Sequence, residues 1–411
     1  MAVEAAEVIS SMNPIMRAIV TIGVLVFFAK IFASAFSSLK LPPVIGELLA
    51  GIVLGPYALG SGILIFGEPL VVLNEYVDAF AEIGAIMLLF SMGLEMGLAS
   101  LRETGIWAVL VATLGAIIPF ITGYGFYSLC GLSMTSALFI GAIMVATSLA
   151  ISSKILEDLD LLRTEEGTLL VNAAVIDDVL GVAILAIVTA IITHGVISIY
   201  EAAKIVIAFF ILWLAMVGIG AFILPRVMER AMALEAEGAV EAAAVASAFI
   251  LAAIAGGLGL SPIIGAYAAG MAIAESKALR HVKEFIRHIN MIFSPIFFTV
   301  VGARMNLGII TDQVLVGILV MAALAIVSKF AGGFAGAMLR LRSRLKSARV
   351  GVGMIPRGEL GLIIASLALS KGVIGQDLYA QAVWMVVLTS IIAPIILSKM
   401  YRTEARGRVG P

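Results

Sequence analysis

Apolar runs of about twenty residues follow one another along this chain almost without interruption, and that feature decides its class. A helix of roughly 20 residues crosses the hydrocarbon core of a bilayer, and inside that core only helices and closed barrels satisfy their own backbone groups. The runs are continuous rather than alternating, which argues against a β-barrel. Hydrophobic residues make up 62% of the 411 and charged residues 13%, too little polar surface for a water-soluble protein. The chain reads as an all-α, multi-pass membrane protein. No polar stretch is large enough for a soluble nucleotide-binding domain, so ATP-driven pumping by this chain alone is not expected, nor is binding of nucleic acid. The lone Cys130 cannot form an intrachain disulfide, and Glu4 and Glu7 stand where a signal peptide would carry basic residues.

The runs divide into about thirteen spans: 15–38, 43–56, 75–97, 101–129, 133–154, 167–193, 199–225, 239–258, 262–276, 285–303, 313–338, 347–369 and 377–399. The second and ninth are short. With the N-terminus outside and the C-terminus cytoplasmic, nineteen of the 26 Lys and Arg residues fall on the inner side and four on the outer, while Lys30, Lys329 and Arg357 fall within spans. That asymmetry sets the expected orientation in the cell membrane. Six spans, a connector and six more give two halves of opposite orientation, the inverted-repeat plan of many secondary transporters.

The span from 167 to 193 holds Asp177 and Asp178 side by side. A carboxylate at mid-membrane costs at least ~2.5 kcal/mol, and two neighbours also repel. Such a pair is expected to line water, bind a cation or exchange protons. Lys329, midway along the eleventh span, needs an anion unless it snorkels to an interface, and the aspartate pair is the obvious anion. Lys30 lies nearer an inner end, where snorkelling accounts for it. The twelfth span reads Gly351-Val352-Gly353-Met354-Ile355-Pro356-Arg357-Gly358-Glu359, too rich in glycine and proline for a continuous helix. It is either an interruption lining a cavity, with Arg357 and Glu359 at the break, or a loop at the inner interface. Thr147 and Ser148 in the fifth span have no Gly or Pro beside them and read as ordinary packing hydroxyls. Glu95, near the inner end of the third span, and Glu47 in the second stand equally as helix-end charges and as functional carboxylates. His194, His281 and His288 show no metal-ligand spacing; a pH-sensing role for His281 or His288 is the weaker reading.

Ile176-Asp177-Asp178, Lys329, Pro356-Arg357-Gly358-Glu359 and Leu88-Leu89-Phe90 with Gly93-Leu94-Glu95 together resemble the second monovalent cation:proton antiporter family, in its double-aspartate sodium/proton form. The likeness runs over nearly the whole chain. It implies a homodimer in the lipid bilayer, with a scaffold domain from 13–98 and 238–304, a mobile core from 101–194 and 312–401, and a connector helix at 199–228. It implies that the fifth and twelfth helices are both broken and cross at the ion site. Thr147 and Ser148 then become candidate ion ligands, and Asp178 the principal carrier of ion and proton. Asp177 pairs with Lys329 when no ion is bound, and Arg357 and Glu359 stabilise the break. Glu95 remains an additional candidate.

The expected activity is transport rather than enzyme catalysis: exchange of Na+, or Li+, for H+ by alternating access, with net charge movement. A small hard cation seeks oxygen ligands, and a carboxylate holds either the ion or a proton. Na+ and H+ are the substrates and no cofactor is expected. A K+/H+ antiporter of the same family is the alternative. A cation channel, which would need a continuous pore, and a sodium-coupled solute symporter, whose larger polar cavity few polar side chains are present to line, are weaker readings.

Overall fold

The structure, a computed structural model, describes residues 13–39, 41–65, 68–103, 105–148, 156, 161, 164–194, 199–258 and 260–408. The described chain is helical apart from its connections and a two-residue ladder pairing Leu64–Ile65 with Glu68–Pro69. The helices are α1 (Pro14–Ser38), α2 (Pro43–Leu54), α3 (Glu75–Glu103), α4 (Ile106–Leu129), α5 (Met134–Ile143), α6 (Glu165–His194), α7 (Ile199–Met232), α8 (Ala239–Gly257), α9 (Pro262–Ile273), α10 (Leu279–Ala303), α11 (Asp312–Leu341), α12 (Arg344–Gly353), α13 (Glu359–Ser370) and α14 (Gln376–Arg408). A single turn at Leu59–Gly62 and a 3₁₀ turn at Leu307–Ile309 complete them.

Nine of the described helices are long and apolar enough to cross a membrane, and four shorter apolar helices, Pro43–Leu54, Met134–Ile143, Pro262–Ile273 and Leu360–Ser370, accompany them. Local sequence sets the ends. Asn13, Ser133, Thr311 and Ser343 each accept a backbone N–H from the first turn of α1, α5, α11 and α12. Proline opens α1, α2 and α9, where its missing N–H costs nothing.

The chain divides into two compact units. One takes Met1–Glu95, Met216–Gly257 and Pro262–Ile310; the other takes Met96–Ala215, Leu258–Ser261 and Thr311–Pro411. The chain leaves the first unit within α3, where Gly97 has φ +56°, a left-handed conformation that glycine adopts without strain.

The first unit packs α3, α7, α8, α9 and α10 around Phe90, Met228, Ala248, Ala269 and Ile286, and α1, α2, α3 and α10 around Leu25, Leu54, Val77 and Val300. Lys30 reaches Glu47 at 3.2 Å, so its side chain, only half exposed, has a carboxylate partner on α2 rather than simply snorkelling. Arg304 bonds Asp78 at 2.8 Å and His281 bonds Glu241 at 2.8 Å.

The second unit packs α4, α6, α11, α12 and α14 around Val111, Leu170, Ala337, Val350, Met354 and Leu397. Helices α4 and α11 approach closely because Gly332 meets the Leu114 carbonyl and Gly336 lies against Val111. Two small residues four apart on one helix face are the means by which helices approach in a bilayer, where hydrophobic burial between helices supplies little. That approach brings Lys329, one turn before Gly332, into the interior.

Candidate functional site

Two interruptions meet in the second unit. α5 ends at Ile143 and residues 146–148 are neither helix nor strand; α12 ends at Gly353 and residues 355–358 are likewise non-helical before α13 begins at Glu359. The second was legible in its glycines and proline, and its burial places it in the interior rather than in an exposed interface loop. The first was not: a reading of the fifth span by residue type makes it continuous, and only the family resemblance points to a break there.

The two non-helical segments are bonded to each other. Ser148 N–H donates to the Pro356 carbonyl at 2.8 Å, and the Thr147 hydroxyl donates to the Met354 carbonyl at 3.4 Å. Thr147 and Ser148 are both buried. An interrupted helix inside a membrane needs its freed backbone groups satisfied, and each interruption satisfies part of the other.

Charged side chains satisfy more of it. The Arg357 guanidinium is fully buried and donates to the carbonyls of Val145 at 3.1 Å, Ala146 at 3.3 Å and Ala325 at 2.9 Å. Arg357 therefore caps the carbonyl end of the opposite interruption and ties it to the Ala325 carbonyl, midway along α11. Its own backbone is held by α14: its N–H donates to the Thr389 hydroxyl at 3.3 Å, and the Ser390 hydroxyl donates to its carbonyl at 2.9 Å. Thr389 and Ser390 were not singled out in the sequence; two adjacent hydroxyls within an apolar run are the signal they carried.

Lys329 Nζ lies 2.7 Å from Asp177 Oδ1 and 2.6 Å from the Val145 carbonyl, and neither charged side chain is exposed. One carbonyl, that of Val145, thus accepts from both buried cations. The other Asp177 oxygen, Oδ2, is buried without a hydrogen-bond partner among the described residues. A buried ion pair stands against a desolvation cost of several kcal/mol per ion, so this geometry is not an economical way to stabilise a core.

Asp177, Lys329, Thr147, Ser148 and Arg357 are thus brought together in one unit. Asp178 follows Asp177 on α6 and Glu359 opens α13; the side chains of both lie outside the described residues. Glu95 ends the apolar part of α3, exposed, in the other unit.

A multi-pass helical protein whose interrupted helices meet beside a buried ion pair has the build of a membrane ion transporter. Residues 23–403 match the family described as "Sodium/hydrogen exchanger, transmembrane". The chain is 31% identical over 410 residues to a high-affinity Na+/H+ antiporter, NhaS3, of Synechocystis, covering 92% of this chain and 88% of that protein. It is 31% identical over 358 residues to an Na+/H+ antiporter of Enterococcus hirae, covering 87% and 91%. It is 32% identical over 357 residues to the Na+/H+-K+ antiporter GerN of Bacillus cereus, covering 87% and 89%. The solved structure of the sodium proton antiporter MjNhaP1 of Methanocaldococcus jannaschii shares its fold, with a TM-score of 0.70 over 94% of this chain and 97% of that one at 17% identity. The chain belongs to the sodium/hydrogen exchanger family.

Proposed function

We propose that this protein exchanges Na+ for H+ across the cell membrane by alternating access. The observation that carries this reading is Asp177: one oxygen held by Lys329 in a fully buried pair, the other without a partner among the described residues, beside two interruptions bonded to each other. A buried acceptor left unsatisfied costs about 1–3 kcal/mol, and a small cation or a proton supplies what it lacks. Asp178 is the principal carrier, holding Na+ or H+ but not both. Asp177 and the oxygens of Thr147 and Ser148 complete the ion's surroundings, while Lys329 takes Asp177 back when the ion leaves. Displacing Lys329 frees a second proton, so exchange moves two protons per cation and carries net charge. Arg357 and Glu359 keep the α12–α13 interruption in place.

In this reading the unit containing Thr311–Pro411 is the mobile core and the unit containing Met1–Glu95 is the scaffold. The N-terminus is outside, the C-terminus cytoplasmic, and the protein a homodimer in the bilayer. K+/H+ exchange is the second reading, favoured by likeness to the relative named as an Na+/H+-K+ antiporter.

The test uses proteoliposomes with an entrapped pH dye and a panel of Na+, Li+ and K+. Wild type should move protons on addition of Na+; Asp178→Asn should not exceed empty liposomes. Robust exchange by Asp178→Asn removes Asp178 from the central role, and a response to K+ alone replaces Na+ as substrate.

A further inference from the structure

A second buried ion pair lies in the same unit, away from the crossing. Arg349 on α12 and Glu166 in the first turn of α6 meet at 3.1 Å, with side chains 5% and 6% exposed. The same guanidinium donates through Nη2 to the Met400 carbonyl at 3.3 Å and lies 4.0 Å over the Tyr401 ring, both on α14. One planar fork thus joins three helices, a task that fits Arg and not Lys.

The placement is regular. Glu166 precedes Asp177 on α6 by eleven residues, and Ser390, which holds the Arg357 carbonyl, precedes Tyr401 on α14 by eleven. Eleven residues make about three helical turns, so each pair shares a helix face at a separation of roughly 16 Å. Between the two levels Leu170, Ala173, Val350, Met354, Ala393 and Leu397 pack as one apolar cluster. A close-packed layer transmits a shift rather than absorbing it. A buried ion pair is weak support for stability, and its best-attested use is to set register.

We propose that Arg349, through Glu166 and the end of α14, is a positioning residue for exchange. It holds α6 and α14 in axial register with the α12 interruption, so that Asp177 and its neighbour Asp178 stand level with the crossing. A slip of one turn moves the carboxylates by about 5 Å. This inference rests on the exchange reading for its kinetic consequence, and on the geometry alone for its effect on the Asp177–Lys329 pair.

Two measurements test it. In proteoliposomes, Arg349→Gln should raise the Na+ concentration for half-maximal exchange about tenfold, the usual cost of losing a supporting partner, and move the pH of half-maximal rate. Arg349→Lys, which keeps the charge without the fork, should fold and show the same change in smaller measure. In detergent, the melting temperatures of Lys329→Gln, Arg349→Gln and the double variant form a cycle. Substitutions this far apart ordinarily add; here the double variant should lose fewer degrees than the two singles together, because a pair already out of register has less to lose. Additive losses, or a lower maximal rate with half-saturation and pH profile unchanged, overturn the proposal. A wild type without exchange but with a non-additive cycle sinks the transport reading and leaves the register role standing.

Discussion

Gly358 stands against Ser148 so closely that a Cβ on residue 358 would fall 2.7 Å from the Ser148 Cβ and 3.0 Å from its Cα. Unbonded carbons rest at about 3.5–4.0 Å. Gly358 has φ −137°, extended backbone open to any residue, so glycine is required here for space and not for conformation. Together with the hydrogen bond from Ser148 N–H to the Pro356 carbonyl, this contact sets how near the two interruptions approach.

Gly358→Ala should therefore force the segments apart. Overpacking of this kind costs roughly 1–3 kcal/mol, seen as a lower melting temperature in detergent, and exchange in proteoliposomes should fall to background. A Gly358→Ala protein that melts and transports like wild type is incompatible with this approach.

Lys329→Gln removes the cation from a fully buried pair, and breaking such a pair costs roughly 3–5 kcal/mol. The variant should melt well below wild type. Wild-type exchange should respond to a membrane potential clamped by an ionophore, and the variant should lose that response. Wild-type rates indifferent to potential rule out the movement of two protons per cation.

Arg357→Lys keeps the charge but not the geometry. A single ammonium cannot reach the Val145, Ala146 and Ala325 carbonyls together as the guanidinium does. Each charged hydrogen bond lost is worth about 1.5–3 kcal/mol, so the variant should melt lower and exchange slowly. Wild-type behaviour means that charge alone suffices at this position.

Orientation is accessible to labelling. Lys277 is well exposed, and its ion pair with Glu229 at 3.1 Å lies on the surface and carries small energetic weight. In a Cys130→Ser background, Lys277→Cys should resist an impermeant thiol reagent applied to intact cells and react once the membrane is opened. Labelling of intact cells reverses the proposed topology.

The class of the protein was legible in the lengths of its apolar runs, because a bilayer admits few alternatives to a helix of that length. Asp177 and Lys329 were legible because charge in an apolar span is costly enough to demand a reason, and each is the other's nearest remedy. The break before Glu359 was legible in Pro356 and the glycines around it. The break after Ile143 was not: nothing in Met144-Val145-Ala146-Thr147-Ser148 resists a helix. It exists because Lys329, Arg357 and the Pro356 segment, all more than 180 residues away in sequence, supply the partners its freed backbone groups need. The same holds for Glu166 and Arg349, far apart in the sequence, which become one buried pair only when α6, α12 and α14 are packed. Local residues determine where a helix can form. Whether it ends inside a membrane depends on which distant groups arrive to satisfy the exposed backbone, and tertiary packing alone decides that.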